Sequence, residues 1–457
     1  MKSWLTAALD YVPRWIDYQM RLSEQPGCSI SIAHRGKVVL EQAFGYASLA
    51  SGEALTPRHR LRVASHSKTF TAAGIMKLRE ADKVRLDDPV GRYVDGLHPK
   101  IARATVGQLL SHSAGIIRDG LDAGQWQDRR PYLDEAELRA ALTEAPIIPA
   151  STRFKYSNHG FGLLGLVIEA VTGMPYRDWI RRTIVVPSKL AETEPDMPLP
   201  DGAMMGRGHS GKLPLGRRLV VPGTNDTRAL SAATGFVSTA SDLVRFFASL
   251  DPAARRSVLS PESRREMIRR QWSDAHSSIA RHYGLGVILG SIGDWEWFGH
   301  SGGFQSCISR TTVIPGKDLA VSILTNAVDG YAHPWSDGVL QILRGYESRG
   351  APTSRTQDWR GRWWTLWGPI DLVPMKDHVL LCAPGLMNPL MDAGEIAVTG
   401  EDTGTIRLAG GFANHGEQAK LVRGGDGKVV EIVLGGNRLV PEAAIAAELE
   451  GRYGKNV

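Results

Sequence analysis

Ser65-His66-Ser67-Lys68 sits between Arg62-Val63-Ala64 and Thr69-Phe70-Thr71-Ala72-Ala73-Gly74-Ile75-Met76-Lys77-Leu78-Arg79. It sets a hydroxyl and an amine three residues apart at the head of a helical pattern. Phe70, Ala73, Met76 and Leu78 follow a helical period. Positions i and i+3 of a helix share a face, so Ser65 Oγ and Lys68 Nζ can meet. Ser65 then lies at the helix N-terminus, where unpaired N–H groups and the dipole favour developing negative charge. Serine is a poor nucleophile until a base takes its proton, and a desolvated, neutral lysine can be that base. Alone, the stretch reads more readily as an N-capping serine followed by a surface lysine. Its meaning depends on the rest of the chain.

That chain is 457 residues long, enough for two or three domains. Its 42% hydrophobic and 22% charged residues are ordinary for a globular protein. The net charge of +6 is spread along the chain, which argues against a nucleic-acid partner. Cys28, Cys307 and Cys382 are odd in number and far apart, so neither a disulfide framework nor a thiolate zinc site is expected. Cys28 and Cys307 lie in apolar, strand-like stretches and read as buried. His112, His159, His209, His276 and His282 match no metal-ligand spacing and read as structural. Neither metal nor cofactor is expected. At the N-terminus, Asp10, Arg14 and Asp17 interrupt any secretory h-region, while Leu5, Leu9, Val12, Ile16 and Met20 mark an amphipathic helix. With no membrane-length apolar run, these features predict a cytoplasmic protein with no membrane partner.

Residues 28–48 read as a hairpin about Arg35-Gly36. Residues 65–250 are mostly helical in pattern; Phe161 to Val171 forms one helix stopped by Gly173 and Pro175, and a Ser-Thr-Ala-Ser-Asp cap opens another that runs to Leu250. Strands return at 284–289, 295–298, 307–314 and 320–325. Strands at both ends with helices between predict an α/β domain, residues 1–350, whose chain ends share one sheet. After a linker at about 351–357, short alternating stretches separated by turns such as Gly424-Gly425-Asp426-Gly427 predict a small antiparallel β-barrel, residues 351–457. Trp359, Trp363, Trp364 and Trp367 at its entrance read as packing residues rather than a ligand wall.

Two further motifs give Ser65 its context: Tyr156-Ser157-Asn158 ahead of the Phe161 helix, and Gly299-His300-Ser301-Gly302-Gly303 after Trp295-Glu296-Trp297-Phe298. In this order and spacing, across about residues 25–345, they resemble the serine β-lactamase and penicillin-recognising peptidase superfamily. The closest resemblance is to the branch of class C β-lactamases, D-aminopeptidases, D,D-peptidases and related esterases. The stretch Leu109-Leu110-Ser111-His112-Ser113-Ala114-Gly115 is similar to a turn common there. The C-terminal β domain looks like the lipocalin-like extension of some members. The resemblance implies a β-lactamase-like fold, with an antiparallel sheet flanked by helices beside an all-helical region. It implies Ser65 as acylated nucleophile, with Lys68 and Tyr156 sharing proton transfer. Asn158 would hold Lys68 and the substrate amide, and the backbone N–H groups of Ser65 and Gly303 would form the oxyanion hole. His300 would take a catalytic position, and Ser301 and Gly302 would line the substrate.

Many members carry Lys-Thr-Gly where this chain has His300-Ser301-Gly302. A histidine is largely uncharged at neutral pH, which argues against substrates whose carboxylate needs a permanent cation there. The His-x-Gly form is similar to D-aminopeptidase-type and esterase-type members. The implied activity is hydrolysis of amides or esters, with small peptides or amides of D-amino acids as leading substrates. Carboxylesterase, weak β-lactamase, and acyl transferase or peptide cyclase activity are the enzymatic alternatives. A non-catalytic peptide or antibiotic sensor is the alternative of another class. Gly299–Gly303 also fits the G-x-S-x-G elbow, with Ser301 as nucleophile, but that elbow needs a helix after it. The following Phe304 to Pro315 is β-branched and strand-like, so Ser65 is favoured.

Overall fold

The computed structural model describes residues 2–411 and 413–454. The chain divides into two compact units, one of residues 25–336 and one of residues 1–24 together with 337–457. The division falls within the helix Ala332–Arg349.

The larger unit is built on a nine-stranded antiparallel sheet. Its order from one edge is Glu53–Ala54, Lys37–Ser48, Gly27–His34, Leu319–Thr325, Cys307–Ile314, Trp295–Phe304, Ile288–Ile292, His282–Tyr283 and Trp272–Ser273. Early and late strands therefore lie side by side: Cys28 faces Thr325 and His34 faces Leu319. The helix Ala240–Ser249 packs against the central strands, starting where Thr239 Oγ1 accepts from Asp242 N at 3.3 Å. Its Leu243, Val244, Phe246 and Phe247 are buried. Phe70 stacks between Phe246 and Phe236 at centroid distances of 3.9 and 4.2 Å, tying the Ser67–Glu80 helix to this layer. Burying an aromatic ring of this kind is worth about 2–3 kcal/mol.

Some boundaries differ from those the sequence predicts. The strand that opens at Trp295 runs on to Phe304, so the glycine motif lies inside a strand rather than beyond one. The helix read from Phe161 begins at Asn158, because Ser157 Oγ accepts from Gly160 N at 2.9 Å and caps it. Residues 284–287 are not strand; pairing starts at Ile288.

In the smaller unit the helix Ser3–Leu22 buries Leu5, Leu9, Val12, Ile16 and Met20, the predicted apolar face. Tyr11 OH donates to Asp371 Oδ2 at 2.9 Å, and Arg362 Nε donates to Asp371 Oδ1 at 2.7 Å. Eight antiparallel strands run in sequence order from Gly361–Thr365 to Asn437–Leu439. Trp364 N donates to Val440 O at 2.7 Å and Val440 N to Trp364 O at 3.0 Å, which nearly closes the sheet into a barrel. This barrel fits a lipocalin-like domain. Trp359 and Trp363 are buried in its core with Leu372, Val379, Ile396 and Ile432. Trp367 instead stands exposed at a hairpin tip.

Candidate active site

Ser65 lies in a 3₁₀ turn, Ala64–His66, that leads into the Ser67–Glu80 helix. Ala64 has a φ of +47°, a left-handed conformation that costs an alanine about 1 kcal/mol. Between Leu61 and Phe70 every residue is buried except Ser65, which is partly open to solvent. The turn therefore pushes one hydroxyl outward from a closed core.

Lys68 is fully buried, and its Nζ has three oxygen neighbours: Ser65 Oγ at 3.0 Å, Asn158 Oδ1 at 2.7 Å and Ala233 O at 2.9 Å. The Tyr156 and Phe161 rings lie within 4.8 and 5.6 Å of it. Burial drives its pKa well below the usual lysine value; Asp119 opposes this shift, and Arg118 reinforces it. Tyr156 OH donates to Ser65 Oγ at 2.9 Å. Burial raises its pKa, so the phenol holds its proton; the Ser65 hydrogen bond and Arg118 act against that rise.

Local contacts hold Tyr156 in place. His112 Nδ1 accepts from Ser157 N at 3.1 Å, and Ser157 Oγ donates to Ile117 O at 2.7 Å. The His112 ring packs 4.1 Å from that of Tyr156. Asn158 N donates to Arg118 O at 2.9 Å, and Asn158 Nδ2 to Asp119 Oδ1 at 2.6 Å.

On the other side, Gly302 presses the Trp295–Phe304 strand against the backbone before Ser65: a Cβ there would sit 2.1 Å from Val63 O. Ile288–Ile292 pairs with this strand only as far as Gly299, and Gly303 beyond it is exposed. Ser301 is half-buried. His300 is buried, with its Nε2 2.9 Å from Tyr283 OH and its Nδ1 2.7 Å from Ser301 O and 3.0 Å from Ser301 N. Burial first, then His66 and Lys68, lower its pKa well below the usual imidazole value.

The structure thus brings Ser65, Lys68, Tyr156 and Asn158 into one hydrogen-bonded group. Gly302 lies against the same turn, and His300 is tied to Tyr283. Sequence reasoning missed Asp119, Arg118 and Tyr283 and left His112 as structural; Asp119 and Arg118 sit in a loop whose partners are distant, with no local pattern to mark them. Ser301, inside its strand, is not followed by a helix, so the elbow arrangement is absent. Among the described residues no cluster of three or more His, Cys, Asp or Glu side chains is arranged to hold a metal ion.

Comparison with known proteins agrees with this architecture. The chain is 29% identical to penicillin-binding protein 4 of Amycolatopsis lactamdurans over 66% of its length and 81% of that protein. It is 27% identical to protein flp of Staphylococcus aureus over 40% of its length, spanning only 37% of that protein. Among solved structures, the octameric penicillin-binding protein homologue of Pyrococcus abyssi is 25% identical with a TM-score of 0.65, covering 94% of this chain and 99% of that one. A D-stereospecific amidohydrolase of Streptomyces is 25% identical with a TM-score of 0.57, covering 69% of this chain and 93% of that one. Residues 12–343, well over half the sequence, match the Beta-lactamase family. The chain therefore belongs to the Beta-lactamase family and is a serine hydrolase.

Proposed function

We propose that Ser65 attacks the carbonyl of a small amide or ester and forms an acyl-enzyme, with Lys68 as the base. One observation carries the reading. Lys68 Nζ touches two oxygens that only accept, Asn158 Oδ1 and Ala233 O. A neutral amine has two hydrogens, and these contacts use both. Its lone pair is left for the third neighbour, Ser65 Oγ, 3.0 Å away. Ser65 then donates to Lys68 and accepts from Tyr156, which is the arrangement a nucleophile needs. Tyr156, kept protonated by burial, supplies a proton to the leaving group. The N–H groups of Ser65 and Gly303 receive the oxyanion, at about 3 kcal/mol per donor in the transition state.

Substrates lacking a carboxylate beside the scissile bond fit best, because His300 is buried, neutral and hydrogen-bonded to Tyr283. Together with the D-stereospecific amidohydrolase among the related structures, this favours small peptides or amides of D-amino acids. The cytoplasmic location expected from the sequence belongs to the same proposal, supported by three buried free thiols.

The test is a fluorophosphonate probe followed by digestion, beside a turnover screen of D- and L-amino-acid amides and nitrophenyl esters. The probe mass should land on Ser65. Ser65→Ala should abolish ester hydrolysis, and Ser301→Ala should leave it measurable. Labelling at Ser301, or the reverse ranking of the variants, refutes the assignment.

A further inference from the structure

The direction of the Lys68 lone pair depends on which way round the Asn158 amide sits. With Oδ1 toward Lys68, the amide takes a hydrogen from the amine and leaves the lone pair to Ser65. Turned over, it would offer a hydrogen instead and draw the lone pair away. Asn158 itself does not decide between the two. Its other end does: Nδ2 lies 2.6 Å from Asp119 Oδ1, and a carboxylate oxygen only accepts.

We propose that Asp119 is a positioning residue of the active site: by holding the Asn158 amide in one orientation, it aims the Lys68 lone pair at Ser65. The proposal rests on the reading of Ser65 and Lys68 given above. Asp119 is suited to the task because it is itself fixed. Trp126 Nε1 donates to the same Oδ1 at 2.8 Å, and Arg118 Nε lies 3.0 Å from Oδ2. The backbone is locked as well, since Asn158 N and His159 N both donate to Arg118 O. Only 13% of the Asp119 side chain is exposed, and with three donors already on it the carboxylate acts through Asn158 rather than on substrate.

Asp119 has a second effect, through its charge. It favours the protonated form of Lys68, against burial and against Arg118. Tyr156, His112 and His300 also face this interior, and burial keeps each of them neutral. Arg118 and Asp119 are the charges acting on the amine. Loss of the Asp119 charge therefore lowers the pKa of Lys68.

The experiment compares wild type, Asp119→Leu and Asp119→Asn. It reads the rate of fluorophosphonate labelling at Ser65 from pH 5 to 9, with kcat and KM on an uncharged nitrophenyl ester and thermal unfolding alongside. In Asp119→Leu the amide is free to turn, and labelling and kcat should fall about 10²-fold with little change in KM. In Asp119→Asn a single oxygen still accepts from both Asn158 and Trp126, as Oδ1 does now, so most of the rate should return. In both variants the acid limb of the profile should move to lower pH, because the amine has lost its anion. A variant that loses rate with an unmoved limb, or that changes KM alone, overturns the proposal, as does an unchanged rate in Asp119→Leu. If Asp119→Leu does not fold, Asp119→Ala, which also removes the acceptor from Asn158 Nδ2, takes its place and the same outcomes decide. Failure of the wild type to label at Ser65 would instead refute the underlying reading, before Asp119 enters.

Discussion

Adding one methyl group at Gly302 should separate the strand from the nucleophile. A Cβ there would sit 2.1 Å from Val63 O, 2.9 Å from Val63 C and 2.7 Å from Ser309 Oγ. Two of these atoms are backbone and cannot rotate away. Restoring a normal contact needs a shift of roughly 1 Å between the Trp295–Phe304 strand and the turn that carries Ser65. The proposed oxyanion donors sit one on each side of that contact, so the shift moves them apart. Misplacement by 1 Å costs about 10²-fold in rate, and loss of one oxyanion donor about 10²–10³-fold. Gly302→Ala should therefore lose about 10²-fold or more in kcat on a nitrophenyl ester, with KM little changed. Overpacking should also cost about 1–3 kcal/mol of stability, readable by urea unfolding. The crowding belongs to Gly302, since a Cβ at Gly303 would meet only Ile308 Cδ1 at 3.6 Å, an ordinary contact. If Gly302→Ala keeps kcat within a few-fold of wild type, the proposed oxyanion geometry is wrong.

Tyr156→Phe should cost about 10²–10⁴-fold in kcat on amides and much less on nitrophenyl esters, whose leaving group departs without a proton; equal losses on both would remove its role as acid. Arg62→Leu should destabilise the larger unit by about 3–5 kcal/mol in urea unfolding. It breaks a fully buried pair with Asp196 at 3.0 Å and also strips donors from the carbonyls of Gly223 and Gly235. Stability should fall as pH drops from about 6.5 towards 3. His66, held neutral by burial with its pKa lowered to about 3, refuses a proton that the unfolded chain accepts from about pH 6.5 downward. The loss is about 1.4 kcal/mol per pH unit for each such histidine, and buried His112 and His300 add to it. His66→Gln should flatten the slope; an unchanged slope would mean that these imidazoles are protonated within the fold.

What could be read from the sequence was what depends on near neighbours. Ser65 and Lys68 meet because they are three residues apart on one helical turn. The Ser3–Leu22 helix was legible from its apolar spacing, but nothing in that spacing says that residues 1–24 group with 337–457. The aromatic stretch around Trp363 supplied no alternation, so the strand Gly361–Thr365 went unread, and Trp367 stands exposed although it reads like its neighbours. The left-handed φ at Ala64 exists only in the folded chain and leaves no mark on residue choice, since alanine is not a residue that favours it. Asp119 was invisible for the same reason. An aspartate in a loop means little until the amide it holds is known.

Burial and reactivity are one fact at Lys68. A charged lysine has three hydrogens and would give the third to Ser65 Oγ, so the serine could not pass its own proton to the amine. Burial favours the neutral amine, and under the proposed mechanism that form would reverse the bond, so the protonation state of Lys68 would set the role of the alcohol. Under the proposed mechanism the same logic governs the second half-reaction. Once Ser65 is acylated it has no proton to give, and once the proton Lys68 took from Ser65 has replaced the one Tyr156 gave to the leaving group, the Lys68 lone pair is free again and faces whatever nucleophile arrives. Water and an amine would meet the same base. The choice between hydrolysis and transfer then lies in which of them reaches Ser65 first, which makes product partition against added amine the measurement that separates them.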